Sequence, residues 1–112
     1  MIKHTDLSRG RISVTVNRHH PEWTLDDLLS FAERINPKRA FLFVSEILGK
    51  HSPVAPSVMQ KSYQDLAALI PKDLAYPITV MGMAETAVGL GAGVYRELKK
   101  QVHENAIFLT TT

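Results

Sequence analysis

The chain has no cysteine in its 112 residues. That removes disulfides, a thiolate nucleophile and cysteine-ligated zinc. No apolar run reaches membrane-spanning length, and the opening MIKHTDLSRGR has no apolar stretch of signal-peptide type. Charge of one sign is also scarce: 13 basic residues against 11 acidic leave a net of +2. So small a surplus does not argue for nucleic acid, even with a pI near 9.0. There is no internal repeat and no low-complexity tract. Two familiar phosphate signatures are missing: there is no GKS or GKT, and no G-x-G-x-x-G with the right start. Histidine spacing offers no metal site, because His19 and His20 are adjacent ahead of Pro21, and His4 and His103 read as terminal or exposed. What remains is a single soluble, cytoplasmic domain of ordinary composition, 45% apolar and 21% charged.

The pattern along the chain alternates strands with helices. Ile12 to Val16 (ISVTV) is β-branched and reads as an edge or hairpin strand. In WTLDDLLSFAERI, Thr24 is a good N-cap, Asp26 and Asp27 suit a first turn, and Leu25, Leu28, Leu29, Ala32 and Ile35 fall on one helical face. Asn36-Pro37 should end that helix. The continuous apolar run Ala40 to Ser45 predicts a strand buried on both faces, as in a parallel sheet. A loop follows through Pro56, and a second helix runs from Pro56 to about Ile70 with Met59, Tyr63, Leu66, Ala67 and Ile70 facing inward. PITVMG is a further buried strand, Glu85 to about His103 a third helix, and AIFLTTT a last strand-like run. The fold class expected is α/β, with a mostly parallel sheet flanked by helices and a short N-terminal edge or hairpin strand.

Ligands of such sheets lie beyond the C-terminal ends of the strands. Two loops leave such ends. In the first, Gly82, Met83, Ala84, Glu85 and Thr86 join a strand to a helix. A glycine there permits a sharp turn and close backbone approach, and a helix N-terminus favours an anion. Thr86 either caps the helix or donates to a phosphate. Glu85 would repel a phosphate unless Mg²⁺ lies between them or the carboxylate meets a sugar hydroxyl. The plain alternative is that Gly82 only allows a tight turn, and that Gly89, Gly91 and Gly93 let the helix pack close to the sheet. In the second loop, Ser45 closes the strand and Lys50 and His51 follow Gly49, placed either for a ligand phosphate or as ordinary surface groups.

"NPKRAFLFVSEILGKHSPV" together with "VMGMAETAVGLGAGV" resembles the phosphoribosyltransferase-like family of bacterial tellurite-resistance and stress-response gene clusters. The resemblance runs from about Leu28 to the C-terminus. It implies a type I phosphoribosyltransferase fold, with residues 1–23 as a hood or edge segment. It also implies phosphoribosyl diphosphate with Mg²⁺ as ligand, and movement of ribose phosphate between a nitrogenous base and diphosphate. Gly82 to Thr86 then corresponds to the diphosphate loop, with a non-proline cis peptide between Met83 and Glu85. Ser45, Lys50 and His51 become candidate phosphate or substrate contacts. Glu46 departs from the pattern, where a basic residue is expected. The family's strand, adjacent acidic pair and Thr/Gly-rich loop are not found in these residues. The sequence therefore reads as an N-terminal portion of a longer enzyme, inactive alone, or as a degenerate relative. An unpaired edge at Ile107 to Thr111 suggests a homo-oligomer. A non-catalytic phosphate- or nucleotide-binding module and a plain interaction domain stand as the alternatives.

Overall fold

The computed structural model describes residues 1–75, 77–101 and 104–112, so His103 and the expected end of the third helix lie outside the described residues. The chain divides into two compact units, Met1–Ser52 and Pro53–Thr112.

The first unit is built from hairpins. Strands β1 (Ile2–Leu7) and β2 (Gly10–Thr15) pair antiparallel, Ile2 opposite Thr15 and Leu7 opposite Gly10. The expected ISVTV strand is thus β2, and its partner is the N-terminal stretch that seemed merely polar. Alternation explains the oversight: Lys3, Thr5 and Leu7 are the half-buried positions, and two of these three are polar. Helix α1 (Leu25–Leu28) has the expected cap, since the Asp27 amide donates to Thr24 Oγ1 while Asp27 Oδ2 accepts from the Thr24 amide. It stops after one turn. The expected helical continuation is strand β3 (Leu29–Glu33), antiparallel to β4 (Phe41–Ser45) with Phe31 opposite Phe43. Asn36-Pro37 is therefore part of a hairpin connection, in which Asn36 Oδ1 accepts from the Lys38 amide at 2.8 Å. Tertiary pairing overrides the helical period here, and Ile35, placed on the inner face by that period, is fully exposed.

The run Ala40 to Ser45 also differs from expectation. Its strand is antiparallel, and only one face is covered: Val44 is buried, whereas Phe43 is 61% exposed. Phe31, Phe43 and Phe41 line the other face, with centroids 5.3 and 5.7 Å apart along the row. A polar latch holds the first hairpin to this sheet. Glu33 Oε1 accepts from the Ser8 amide at 2.6 Å and from its hydroxyl at 2.7 Å. These bonds hold the Glu33 carboxyl below its ordinary value.

The second unit is a parallel βαβ arrangement with one further helix. Helix α2 (Pro56–Ala68) opens with Pro56 at its first position, where a missing N–H costs nothing. Strands β5 (Thr79–Gly82) and β6 (Ile107–Thr110) are parallel and joined through helix α3 (Val88–Gln101). The core is Ala67, Leu98 and Ala106, flanked by Ile70, Ile78, Val80, Val94 and Tyr95. Tyr63 and Ala67 face inward as expected; Leu66 is exposed and Ser62 is buried instead, its hydroxyl donating to the Met59 carbonyl at 2.7 Å. The molecule is thus mixed α/β with short two-stranded sheets, one of them parallel.

The glycines of α3 divide by their surroundings. A Cβ on Gly93 would fall 2.4 Å from the Tyr63 ring, and one on Gly91 would fall 3.0 Å from Gly82 Cα and from Phe108. A Cβ on Gly89 meets nothing within 4 Å. Gly91 therefore serves the approach of helix to strand, and Gly93 the approach of α3 to α2. Gly89→Ala should stabilise the fold by about 0.5–1 kcal/mol through helix propensity. Gly93→Ala should destabilise it by about 1–3 kcal/mol, because the ring has to move. Urea unfolding of both variants checks the opposite signs.

Candidate functional site

Strand β5 carries the chain outward to Gly82, which is buried under α3. A Cβ there would come within 2.9 Å of the Ala87 carbonyl and 3.3 Å of Val88 Cα, so only glycine lets the strand end lie this close to the helix start. Beyond it, Met83, Ala84, Glu85 and Thr86 are all exposed. The Ala87 amide donates to the Met83 carbonyl at 3.0 Å and the Val88 amide to the Glu85 carbonyl at 3.4 Å, which closes the turn on itself. The Ala84–Glu85 peptide bond is cis, within the interval where one was expected.

The neighbouring strand completes the turn. The Thr111 amide donates to the Gly82 carbonyl at 3.2 Å, and Thr111 Oγ1 accepts from the Ala84 amide at 2.7 Å. Thr111 was missed at the sequence level, where it belonged to an unremarkable run of threonines. The parallel register, with Gly82 opposite Thr110, is what brings it beside the turn.

Electrostatically, the turn leads into a 14-residue helix whose first turn holds no acidic side chain and whose last turn carries Lys99 and Lys100. The basic residues complement the C-terminal end of the dipole, and no helix carboxylate neutralises the N-terminal end. Thr86 makes no hydrogen bond to another described residue. Backbone N–H groups at such a terminus, a hydroxyl and one carboxylate are a donor set that suits a phosphate with a bridging cation.

Ser45, Lys50 and His51 belong to the first unit, whereas Gly82 to Thr86 belong to the second. Ser45 ends β4 opposite Leu29, and its Oγ accepts from the Ile47 amide at 3.4 Å. Gly49, with φ of 68°, takes a left-handed conformation that suits glycine and turns the chain toward Lys50 and His51, both exposed. Glu46 is engaged by hydroxyls: Ser30 and Ser52 both bond its carboxylate and hold its pKa below the ordinary value. Among the described residues, no group of three or more His, Cys, Asp or Glu is arranged to hold a metal ion. No helix among them is long and apolar enough to cross a membrane.

A parallel βαβ unit with an exposed, dipole-facing turn is the kind of frame on which phosphate-handling proteins are built. Residues 28–112 match the family model described as phosphoribosyl transferase, and the chain belongs to that family. No curated protein and no solved structure matches the chain.

The Thr111 bond gives a direct test of how the turn is held. Thr111→Val removes the acceptor with little change of volume. The Ala84 amide should then exchange with solvent several-fold faster, as expected for loss of about 1 kcal/mol. Amides in the middle of α3 should be unaffected. Unchanged exchange at Ala84 would show that the hydroxyl does not hold the turn.

Proposed function

We propose that Gly82, Met83, Ala84, Glu85 and Thr86 bind the diphosphate of phosphoribosyl diphosphate, as part of a protein that transfers ribose phosphate to or from a nitrogenous base. The observation that carries this reading is the exposed turn from β5 into α3, within residues that match a phosphoribosyl transferase family. Backbone N–H groups and the Thr86 hydroxyl meet the phosphate oxygens. The donor set fits a magnesium ion shared with the ligand rather than one caged by the protein. Mg²⁺ commonly takes only one or two carboxylates besides phosphates and water, and Glu85 supplies a single exposed one. When bound, such an ion neutralises diphosphate charge as it becomes a leaving group. The Glu85 carboxylate then orients the ion or a ribose hydroxyl, and the turn fixes the diphosphate. Ser45, Lys50 and His51, in the first unit, are proposed separately as phosphate or substrate contacts.

The finer fold assignment goes with it: a type I phosphoribosyltransferase arrangement, with a mostly parallel sheet flanked by helices, of which β5–α3–β6 is the parallel core and residues 1–23 are part of the hood. So do a cytoplasmic location and a role in tellurite or stress response. Because these residues hold no acidic pair leading from a strand into a Thr/Gly-rich loop, they bind diphosphate without turnover. Calorimetric titration with diphosphate should show binding that strengthens with Mg²⁺. Thr86→Ala should weaken it about tenfold, the loss expected for one hydrogen bond to a charged group. Gly82→Ala is a poor probe, because its Cβ would collide with the Ala87 carbonyl whatever the turn binds. No binding at millimolar diphosphate, with or without Mg²⁺, overturns the reading.

A second reading, an interaction domain, draws on a different observation. Met81, Ile107 and Leu109 are each about half exposed on the outer face of β5 and β6. Parallel strands are ordinarily covered on both faces. A homo-oligomer formed over this face is the proposed cover. Sedimentation velocity should show a species larger than the monomer that Met81→Lys reduces to monomer. A wild-type chain that sediments as monomer at high concentration removes this reading.

A further inference from the structure

The first unit contains a cavity of about 490 Å³, within the size range of small-molecule sites, beside the edge of β3. Leu25, Leu29 and Phe31 form its apolar wall, and Ser30 and Glu46 supply polar groups. Its charge is unbalanced. Lys3 pairs with Asp26, which leaves the carboxylates of Asp27 and Glu46 without a cation among the groups lining the cavity. Asp27 is committed to the cap of α1, where the Thr24 amide and hydroxyl both donate to it. Glu46 is different. It receives the hydroxyls of Ser30 and Ser52, which hold its pKa below the ordinary value. A carboxylate has about four acceptor sites, so two hydroxyls leave capacity for a ligand.

We propose that this cavity binds a small planar cation rich in N–H donors, of the amidinium or protonated amino-heterocycle class. Glu46 accepts its N–H groups, and Leu25 supplies apolar surface beside them. The reasoning is one of complementarity. An anion would meet two carboxylates, and a neutral apolar molecule would leave the Glu46 oxygens facing a group that cannot donate to them. A flat cation satisfies the carboxylate, because a planar fork of N–H donors matches its two oxygens. The inference concerns the first unit alone. It does not depend on the diphosphate reading of the second.

The probe is benzamidine, followed by amide chemical shifts of the whole chain, with benzoate as the anion of the same shape. Benzamidine should give saturable shifts centred on Ser30, Phe31 and Glu46, and benzoate should give none there. Glu46→Gln should weaken benzamidine about tenfold, the loss expected for a charge-assisted hydrogen bond. Equal shifts from the two probes overturn the proposal, as does the absence of saturable shifts with benzamidine at millimolar concentration. Should Glu46→Gln fail to fold, the wild-type contrast between the probes decides alone. Diphosphate titrated into the same sample reports on Met83 to Thr86, so failure at one site is distinguishable from failure at the other.

Discussion

Helix α3 lies so close to strand β5 that Gly91 and Gly82 nearly touch, with Phe108 beside both. Most of the second unit follows from that approach. It brings Leu98 into the core, where burying such a side chain contributes about 1.5–3 kcal/mol. It also forces the chain to leave β5 through a glycine and to form the exposed turn at once. Helix glycines cost about 1 kcal/mol each against alanine, so their presence in α3 requires a return. Gly91 returns it at the strand and Gly93 at the Tyr63 ring. Gly89, with open space around it, returns nothing in packing.

The two units are held by different physics. The second has an apolar core between helices and a parallel sheet. In the first, Val44 is the buried apolar residue, and much of the fastening is polar. Glu33 grips Ser8, Lys3 pairs with Asp26, and Ser30 donates to Glu46. Of these the Ser30–Glu46 bond is partly buried, and the exposed ones each contribute little and open readily. The same polar character puts ionised carboxylates beside an apolar wall, which a well-packed core would exclude.

Membership of the phosphoribosyl transferase family and the chemistry of the turn are separate statements. The family follows from a pattern spread over most of the chain. The anion affinity proposed for the turn rests on backbone groups and a helix dipole, which depend on geometry more than on side-chain identity. That is why the turn can lack the common phosphate signatures and still suit a phosphate. Fold and family do not by themselves assign an activity.

Several features were legible in the residues because they depend on local physics. Thr24 and Asp27 form their cap, Pro56 opens α2, and β5, α3 and β6 follow one another as the composition indicates. The cis bond is a different case: its interval was expected from the family resemblance and not from local physics, and the interval contains it. The misreadings lie where two patterns compete. Leu29 to Glu33 satisfies a helical period and an alternating one equally well, and pairing with Phe41 to Ser45 decides for the strand. The MIKHTDL stretch lacked an apolar signal because its β1 side chains are mostly polar, yet ladder bonds to β2 need only backbone. Thr111 beside Ala84 and Glu46 between two serines are contacts of register and loop path. Sequence alone determined the order of most elements, the capping chemistry and the residues of the turn. Tertiary structure decided which strand each strand meets, which glycine faces a neighbour and which carboxylate lines a cavity, because those depend on partners distant in the chain.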